Sequence, residues 1–571
     1  MEKRWVIREN ADKAVIARLQ EELKVEPGIA RLLHLRGINS YDDAKYFFRP
    51  ELKHLHDPFL MKGMRIAIDR IKRAITNNER VLIYGDYDVD GTTAVSIVYS
   101  FFKNHITNIG YYIPDRYKEG YGISFASIDY ATENNYSLII ALDCGIKAID
   151  KVAYANERKI DFIICDHHLP GAELPAALAI LDQKQSDCSY PYKELSGAGI
   201  GFKLIQAFAQ DNGISQESCY EYLDLVATSI AADIVPITGE NRVLAYYGLE
   251  KINVSPRPAI KALLNINQQK SLANINTLVF TLGPRINAAG RIEHGSKAVE
   301  LLICEDDEKA KEHALAINDT NTQRRDLDLS TTQEAYEMLE NDAETPNRRS
   351  TVLFNQNWHK GVIGIVASRL IERYYRPTII LTESEGRVTG SARSVREYDV
   401  YSAIEKCSDL LEQFGGHKFA AGLSLKKENV KAFQEKFEQV VQASITEEQR
   451  SPRIDVDLEM GFHEISDKFL RILKQFAPHG PENMTPVFLA RSVYDTGWAQ
   501  VIGNNHLKLE LFQKANPNIR FRAIAFDKGD FVNHFQSKRP MDIVFKIQES
   551  ETNGVTTFQL VIEDLRVSTQ E

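Results

Sequence analysis

LIYGDYDVDGTT, residues 82–93, is the stretch on which the reading of the fold turns. An apolar run from Val81 to Tyr84 has the make-up of a buried strand and stops at Gly85. Carboxylates then follow at every second position: Asp86, Asp88 and Asp90. In an extended chain that spacing sends all three to one side, and in a curled one they ring a small volume. Either way like charges crowd. Crowded carboxylates repel unless a cation sits among them, so the pattern predicts a site for a hard divalent metal. Gly91 permits a sharp turn, and the apolar segment that Thr92 begins (Ala94, Val95, Ile97, Val98, Phe101, Phe102) is predicted helical. The metal then lies beside a helix N-terminus, which favours phosphate. D-x-D-x-D-G also opens an EF-hand calcium loop, but that loop needs a preceding helix and a glutamate at its twelfth position, where this chain has Ile97.

Outward from this stretch, residues 60–250 alternate short apolar strands with helices: VLIY (81–84), SLIIAL (137–142), DFIIC (161–165) and ALAIL (177–181). The alternation predicts a mostly parallel sheet with helices on both faces. Three of these strands run into an acidic residue, Asp143, Asp166 and Asp182, at the end where open parallel sheets bind ligands. Between Gly295 and Pro346 there is neither glycine nor proline, and apolar residues recur at helical spacing, so one or two long helices are expected to bridge two lobes. A second α/β unit follows to near residue 425, with a further helix to about 447. Beyond Pro452, short alternating strands (HLKLELF, FRAIAF, DIVFKI, TTFQLVIEDLRV) fit a small closed barrel of the OB type or another compact β-sandwich. Residues 1 to about 55 read as a helical lead-in.

With 571 residues, the chain should hold about three or four domains. Its 43% hydrophobic and 26% charged content is that of a water-soluble globular protein. No run approaches the roughly 18 apolar residues of a membrane span, and MEKRWVIREN lacks the apolar core of a signal peptide, so a cytoplasmic protein is expected. Six scattered cysteines without a C-x-x-C pair predict buried thiols rather than disulfides or zinc ligands. The net charge of −10 argues against non-specific coating of DNA, but leaves room for a narrow basic groove.

Asp143, in L-D-C-G, reads either as a turn residue or as a ligand. Asp166-His167-His168 sets two adjacent imidazoles behind a carboxylate at a strand end, whereas core histidines usually come singly. Asp233, flanked by apolar residues in SIAADIVPI, needs a cation or several N–H partners. Asp86, Asp88, Asp90, Asp143, His167 and Asp233 together are enough for two ions sharing a carboxylate. Such a pair stands about 3.5–4 Å apart and clamps both the attacking and the leaving oxygen of a phosphodiester. The mixed shell suits Mn2+ better than Mg2+. His168 is better aimed at phosphate than at metal, and Asp166 at orienting a histidine.

These residues carry a family resemblance. GDYDVDG, LDCG, Asp166-His167-His168, SGAGIGFKL and ADIVP resemble the DHH phosphoesterase superfamily. GPRINAAGR (283–291), GSAR (390–393) and FGGHKFAAG (414–422) resemble its bacterial RecJ branch of single-strand-specific 5′→3′ DNA exonucleases. The likeness runs in order from about residue 60 to the C-terminus. It implies a parallel-sheet DHH lobe with two manganese ions, magnesium substituting, and a smaller α/β DHHA1 lobe joined to it by a long helix. An OB-type β-barrel that helps to hold the strand comes last. The corresponding bounds are 1–55, 56–255, 256–345, 346–448 and 449–571. The resemblance further implies action on single-stranded DNA with a 5′ end, in repair and recombination, with a single-strand-binding protein and a helicase as partners and no membrane.

In the cleft so implied, Arg116 and Tyr121 offer a phosphate contact and a stacking face. Arg285 and Arg291 bracket a Gly-rich stretch. By family analogy Ser391 and Arg393, with Arg116 and Arg285, capture the 5′ terminal phosphate, and His417 contacts the strand near the metals. Each arginine alone reads equally well as a surface ion pair. Trp358, His359 and Lys360 line the cleft or merely pack. Two further readings stay open: a phosphodiesterase of short oligonucleotides or cyclic dinucleotides, which resembles only the two core lobes, and a non-catalytic nucleic-acid-binding scaffold of the same fold. The extra barrel favours a longer polymer over the first, and the full set of presumed ligands disfavours the second. An inorganic pyrophosphatase would leave most of the chain unexplained.

Overall fold

The computed structural model describes the chain apart from residues 1, 9–11, 269–270, 385, 553–554 and 570–571, and apart from the side chains of 550–552 and 555–556. It divides into two compact units: Leu52–Arg450, and Met1–Glu51 together with Ser451–Glu571.

The larger unit opens on five parallel strands, β1 (Arg80–Gly85), β2 (Ile109–Tyr112), β3 (Tyr136–Leu142), β4 (Asp161–Cys165) and β5 (Ala179–Leu181), in the order β2-β1-β3-β4-β5. Alternate residues feed two separate cores. Val81, Ile83, Leu138, Ile140 and Ile163 join one, and Leu82, Tyr84, Ile139, Phe162 and Ile164 the other. Because both faces are covered, these strands read as continuous apolar runs rather than as alternation. The strand order reverses across β1, so the crevice beyond the ends of β1 and β3 is where a ligand of such a sheet binds. The D-x-D-x-D-G loop and Asp143 both start there.

The loop departs from expectation in one respect. Helix α1 (Val89–Phe102) starts before Gly91 and not at Thr92, with Asp88 as its N-cap accepting from the Gly91 N–H at 3.0 Å. Gly91 makes no turn. It lies in the first helical turn because a Cβ there would come within 2.4 Å of the Asp86 carbonyl oxygen. Two more helices complete this lobe's functional edge, α2 (Gly197–Asp211) and α3 (Leu223–Ala232). A π-helical turn, Leu278–Leu282, runs into α4 (Gly283–Ile292). The stretch without glycine or proline forms a short helix, Ser296–Leu302, and one long one, α5 (Asp307–Glu340), of 34 residues and about 50 Å.

The second sheet has β6 (Thr351–Phe354), β7 (Thr378–Ser384), β8 (Arg387–Arg393), β9 (Gln413–His417) and β10 (Ala420–Leu425) in the order β9-β10-β8-β7-β6. Only the β6–β7 pair is parallel. Helix α6 (Ile363–Tyr374) packs between this sheet and α5.

In the smaller unit five strands close on themselves: β11 (Phe488–Asp495), β12 (His506–Gln513), β13 (Asn516–Ala525), β14 (Met541–Thr552) and β15 (Val555–Val567). Pairings β11–β14, β14–β15, β15–β13, β13–β12 and β12–β11 complete the circuit, so the tail is a barrel and not a sandwich. The N-terminal helices add Leu19, Ile29, Leu32 and Leu33 to its core. Residues Arg4–Ile7, within the stretch read as helical, form a strand paired in parallel with Arg453–Val456. Four residues are too few to display a period in sequence. Among the described residues all six cysteines are free and only Cys304 is not buried, and no helix is long and apolar enough to cross a membrane.

Candidate metal centre

Asp90, Asp143, His167, His168 and Asp233 converge at the mouth of the first sheet. Donor atoms of Asp143, His167 and His168, and again of Asp90, His167 and Asp233, lie within 4.8 Å of one another. The His167 Nε2 sits 3.2 Å from Asp143, 3.5 Å from Asp233 and 3.6 Å from Asp90. Asp143 reaches inward on left-handed backbone (φ 58°), which aspartate tolerates. The N-terminus of α2 presses against it, since a Cβ on Gly197 would lie 2.6 Å from the Asp143 Cβ. That same end holds Asp90, whose carboxylate accepts from the Gly197 and Ala198 N–H groups at 2.7 and 2.8 Å and from the Ser229 hydroxyl at 2.6 Å.

Asp86 and Asp88 complete the crowd. Burial, and after it Asp88, holds the Asp86 carboxyl well above its usual range, and burial and Asp90 raise Asp88. Asp143 is raised by burial and then by Asp90, Asp88 and Asp233. Asp233 is pushed up to about 8 by burial and then by Asp90 and Asp88. Four buried polar atoms in this group have no hydrogen-bond partner: Asp86 Oδ2, Asp143 Oδ1 and both ring nitrogens of His167. Crowded carboxylate oxygens and imidazole nitrogens left bare in this way fit divalent cations of the Mn2+ or Mg2+ kind.

His168 is engaged on both sides. Its Nδ1 lies 2.7 Å from Asp166, and its Nε2 3.1 Å from the Tyr121 hydroxyl. Burial works against the Asp166 charge, but His168 and the Ile146 N–H hold that carboxyl down at about 2, and Asp166 in turn raises His168. Next to this chain the Arg116 guanidinium lies 4.9 Å over the Tyr87 ring.

A second cluster gathers Arg116, Arg291 and Arg393. Arg291 is lowered to about 10 by burial and then by Arg116, Arg393 and Arg324, while burial and Arg116 lower Arg393. None of the three has a carboxylate within ion-pair distance among the described residues, and Arg393 donates to the Ser391 hydroxyl at 3.1 Å. Arg285 is not part of this group. It donates to the Thr281 carbonyl and to Asn318 on α5, at 2.7 and 3.2 Å. His417 is exposed on β9, where burial of its ring lowers it and the charges of Lys147 and His168 add to the effect.

Comparison with known proteins bears on both clusters. Residues 80–230 match the DHH family, N-terminal domain, residues 348–443 the DHHA1 domain and residues 456–564 the RecJ OB domain. The single-stranded-DNA-specific exonuclease RecJ of Bacillus subtilis is 37% identical over 99% of this chain and 71% of its own length. The chain belongs to the RecJ family. Its RecJ counterpart in Escherichia coli is 30% identical over 95% of this chain and 96% of its own. The crystal structure of RecJ from Thermus thermophilus in complex with Mn2+ superposes with a TM-score of 0.84 at 26% identity, covering 99% of this chain and 79% of that one.

Around this RecJ centre the sequence reading places Asp182 at a strand end without giving it a role, and it gives none to Ser196, Ser229 or Gly364. Asp182, at the end of β5, is fully buried and pushed up to about 7 by burial. One of its oxygens accepts from the Lys184 N–H at 2.7 Å and the other has no partner. Ser229, which donates to Asp90 and lies 2.6 Å from the Ser196 hydroxyl, sits in a helix that reads only as small and apolar, and Ser196 opens the SGAGIGFKL stretch, which enters for its family resemblance alone. Gly364, at the start of α6, leaves room for the second cluster, because a Cβ there would lie 2.9 Å from both Ser391 Oγ and Arg393 Nη2. Trp358 packs in the core between α5 and α6 and donates to Glu334 at 2.7 Å, so of its two readings the packing one holds.

Proposed function

We propose that the chain is a metal-dependent exonuclease that degrades single-stranded DNA from its 5′ end, hydrolysing phosphodiesters to release mononucleotides. The observation that carries this reading is the set of unpartnered atoms on Asp86, Asp143 and His167 inside a crowd of carboxylates, close to three arginines that have no carboxylate within ion-pair distance among the described residues. Asp86, Asp88, Asp90, Asp143, His167 and Asp233 are the residues to hold two ions. Paired Mn2+ ions, or Mg2+ in their place, would neutralise the attacking and leaving oxygens and acidify the attacking water.

The chain's own residues do the rest. Arg116, Arg291 and Arg393, with the Ser391 hydroxyl, grip the terminal phosphate and so set polarity. Tyr121 gives a base a face, His168 is steadied by Asp166 beside the reacting phosphate, and His417 meets the strand from the second lobe. On the barrel, Lys508 lies 5.0 Å over the Trp498 ring, and this basic aromatic pair suits an unpaired strand. We keep 56–255, 346–448 and 449–571 as the working bounds of the catalytic lobe, its partner lobe and the barrel domain. A single-strand-binding protein and a helicase are the expected partners, and the cytoplasm the expected setting. The test is digestion, with Mn2+, of a 5′-labelled single strand, its duplex and a dinucleotide side by side. Preference for the dinucleotide, or no cleavage of the single strand, would sink the reading.

A further inference from the structure

Ile234 combines strain, exposure and position in a way that packing does not explain. It follows Asp233, the cap of α3, and so takes the first place beyond the helix, where its φ is 59°. Glycine or asparagine is the ordinary occupant there, because a Cβ in left-handed backbone crowds its own carbonyl and branching at Cβ worsens the clash. Fourteen non-glycine residues have positive φ among the described residues, and Ile234 alone of them is β-branched. The residue is 67% exposed, so burial does little to offset the strain. The preceding Asp233 carboxylate lies 3.5 Å from His167 at the candidate metal centre. Leu169, the neighbour of His168, is likewise 64% exposed.

Strain held at a residue that gains nothing from the fold points to use by a ligand. We propose that Ile234 is a substrate-contacting residue whose side chain packs on the base or sugar of the nucleotide beside the scissile phosphate, with Leu169 extending the same apolar rim. The inference rests on the single-strand exonuclease reading and adds to it a source of selectivity. An unpaired strand can turn a base face onto such a rim, whereas a duplex keeps its bases stacked inside.

The competing account is that the strain merely aims Asp233, and in that case glycine should serve as well. The full chain with Mn2+ is therefore assayed on 5′-phosphorylated single strands, intact or carrying one abasic site at successive positions from the 5′ end. The wild type should be slowed by an abasic site at one position. Ile234→Gly should lose that dependence and raise KM on the intact strand about tenfold, roughly the worth of one lost apolar contact, with kcat within about twofold, Mn2+ affinity unchanged and Tm unchanged or higher. Ile234→Val should restore the wild-type profile. A glycine variant with wild-type KM and abasic profile overturns the inference, as does a fall in Mn2+ affinity parallel to the fall in turnover. A wild type that leaves single strands uncut overturns the exonuclease reading itself.

Discussion

The acidic cluster and the arginine cluster both pack like charges together with no lysine or arginine paired to the first and no carboxylate to the second among the described residues, and they differ in sign and in how the chain supplies them. Asp86, Asp88 and Asp90 come from one strand-to-helix loop at the switch point of a parallel sheet, joined by Asp143 and His167 from the next two strands. Arg116, Arg291 and Arg393 come from three distant stretches, the last on the second lobe. Each cluster is costly alone, and each becomes favourable when its complement arrives, cations for the first and a phosphate for the second. Carboxylates can wait by taking up protons, as the raised Asp143 and Asp233 indicate. Guanidinium groups cannot, so the second cluster keeps its charge with no anion present.

Removing a ligand tests the acidic side and should have the largest effect. Asp143→Ala or His167→Ala should lower turnover by at least about 10³-fold, about 4 kcal/mol in the barrier, while leaving the binding of 5′-phosphorylated ends largely in place. Asp143→Asn should also raise the Tm of the metal-free protein at neutral pH, because the amide is neutral without the proton uptake that the crowded, buried carboxyl requires on folding. If Tm does not move, crowding is not the cost it is taken to be. On the basic side Arg393→Ala should reduce the preference for 5′-phosphate over 5′-hydroxyl ends by about 10- to 100-fold, the worth of one charge-assisted contact, with Mn2+ affinity within about twofold. Equal loss on both measures would merge the two clusters into one site.

The proton held by the acidic cluster makes a third, smaller effect. Asp233 titrates at about 8 in the folded chain and near 3.9 when unfolded. Between those values the folded state carries a proton that the unfolded state has released, so metal-free stability should fall as pH rises across that window. Bound cations displace the proton. The gain in Tm on adding Mn2+ should therefore be greater at pH 8 than at pH 6, by a few degrees in calorimetry. A gain independent of pH would mean that the carboxylates are already charged in the metal-free state.

How much of this was legible in the sequence follows from the same contrast. A ligand set whose core lies in five consecutive residues can be read from spacing, and the acidic ends of apolar strands mark where a parallel sheet opens. The barrel's closure needed the parallel β13–β15 pairing, between strands that are not neighbours in sequence, which alternation cannot reveal. Gly364 is silent in sequence too, since its value lies in the Cβ it lacks against Ser391 and Arg393. The arginines were the hardest, because any one of them reads equally well as a surface ion pair.

Arg285 and Arg291 make that difficulty testable. Both lie on α4 and bracket the same Gly-rich stretch, and family analogy assigns Arg285, with Arg116 and Arg393, to the terminal phosphate. In the fold its Nη1 and Nε donate to Thr281 and Asn318, whereas Arg291 spends one bond on the Gly361 carbonyl at 3.2 Å and otherwise faces mainly like charge. An arginine already satisfied by its own helix and the next has little to give a phosphate, and one held among cations has much to gain. Arg291→Gln should thus weaken 5′-phosphate discrimination at least about tenfold, whereas Arg285→Gln should change it less than about threefold. If the two variants lose discrimination equally, the terminal phosphate lies nearer α5, and the arginine cluster has been drawn around the wrong member.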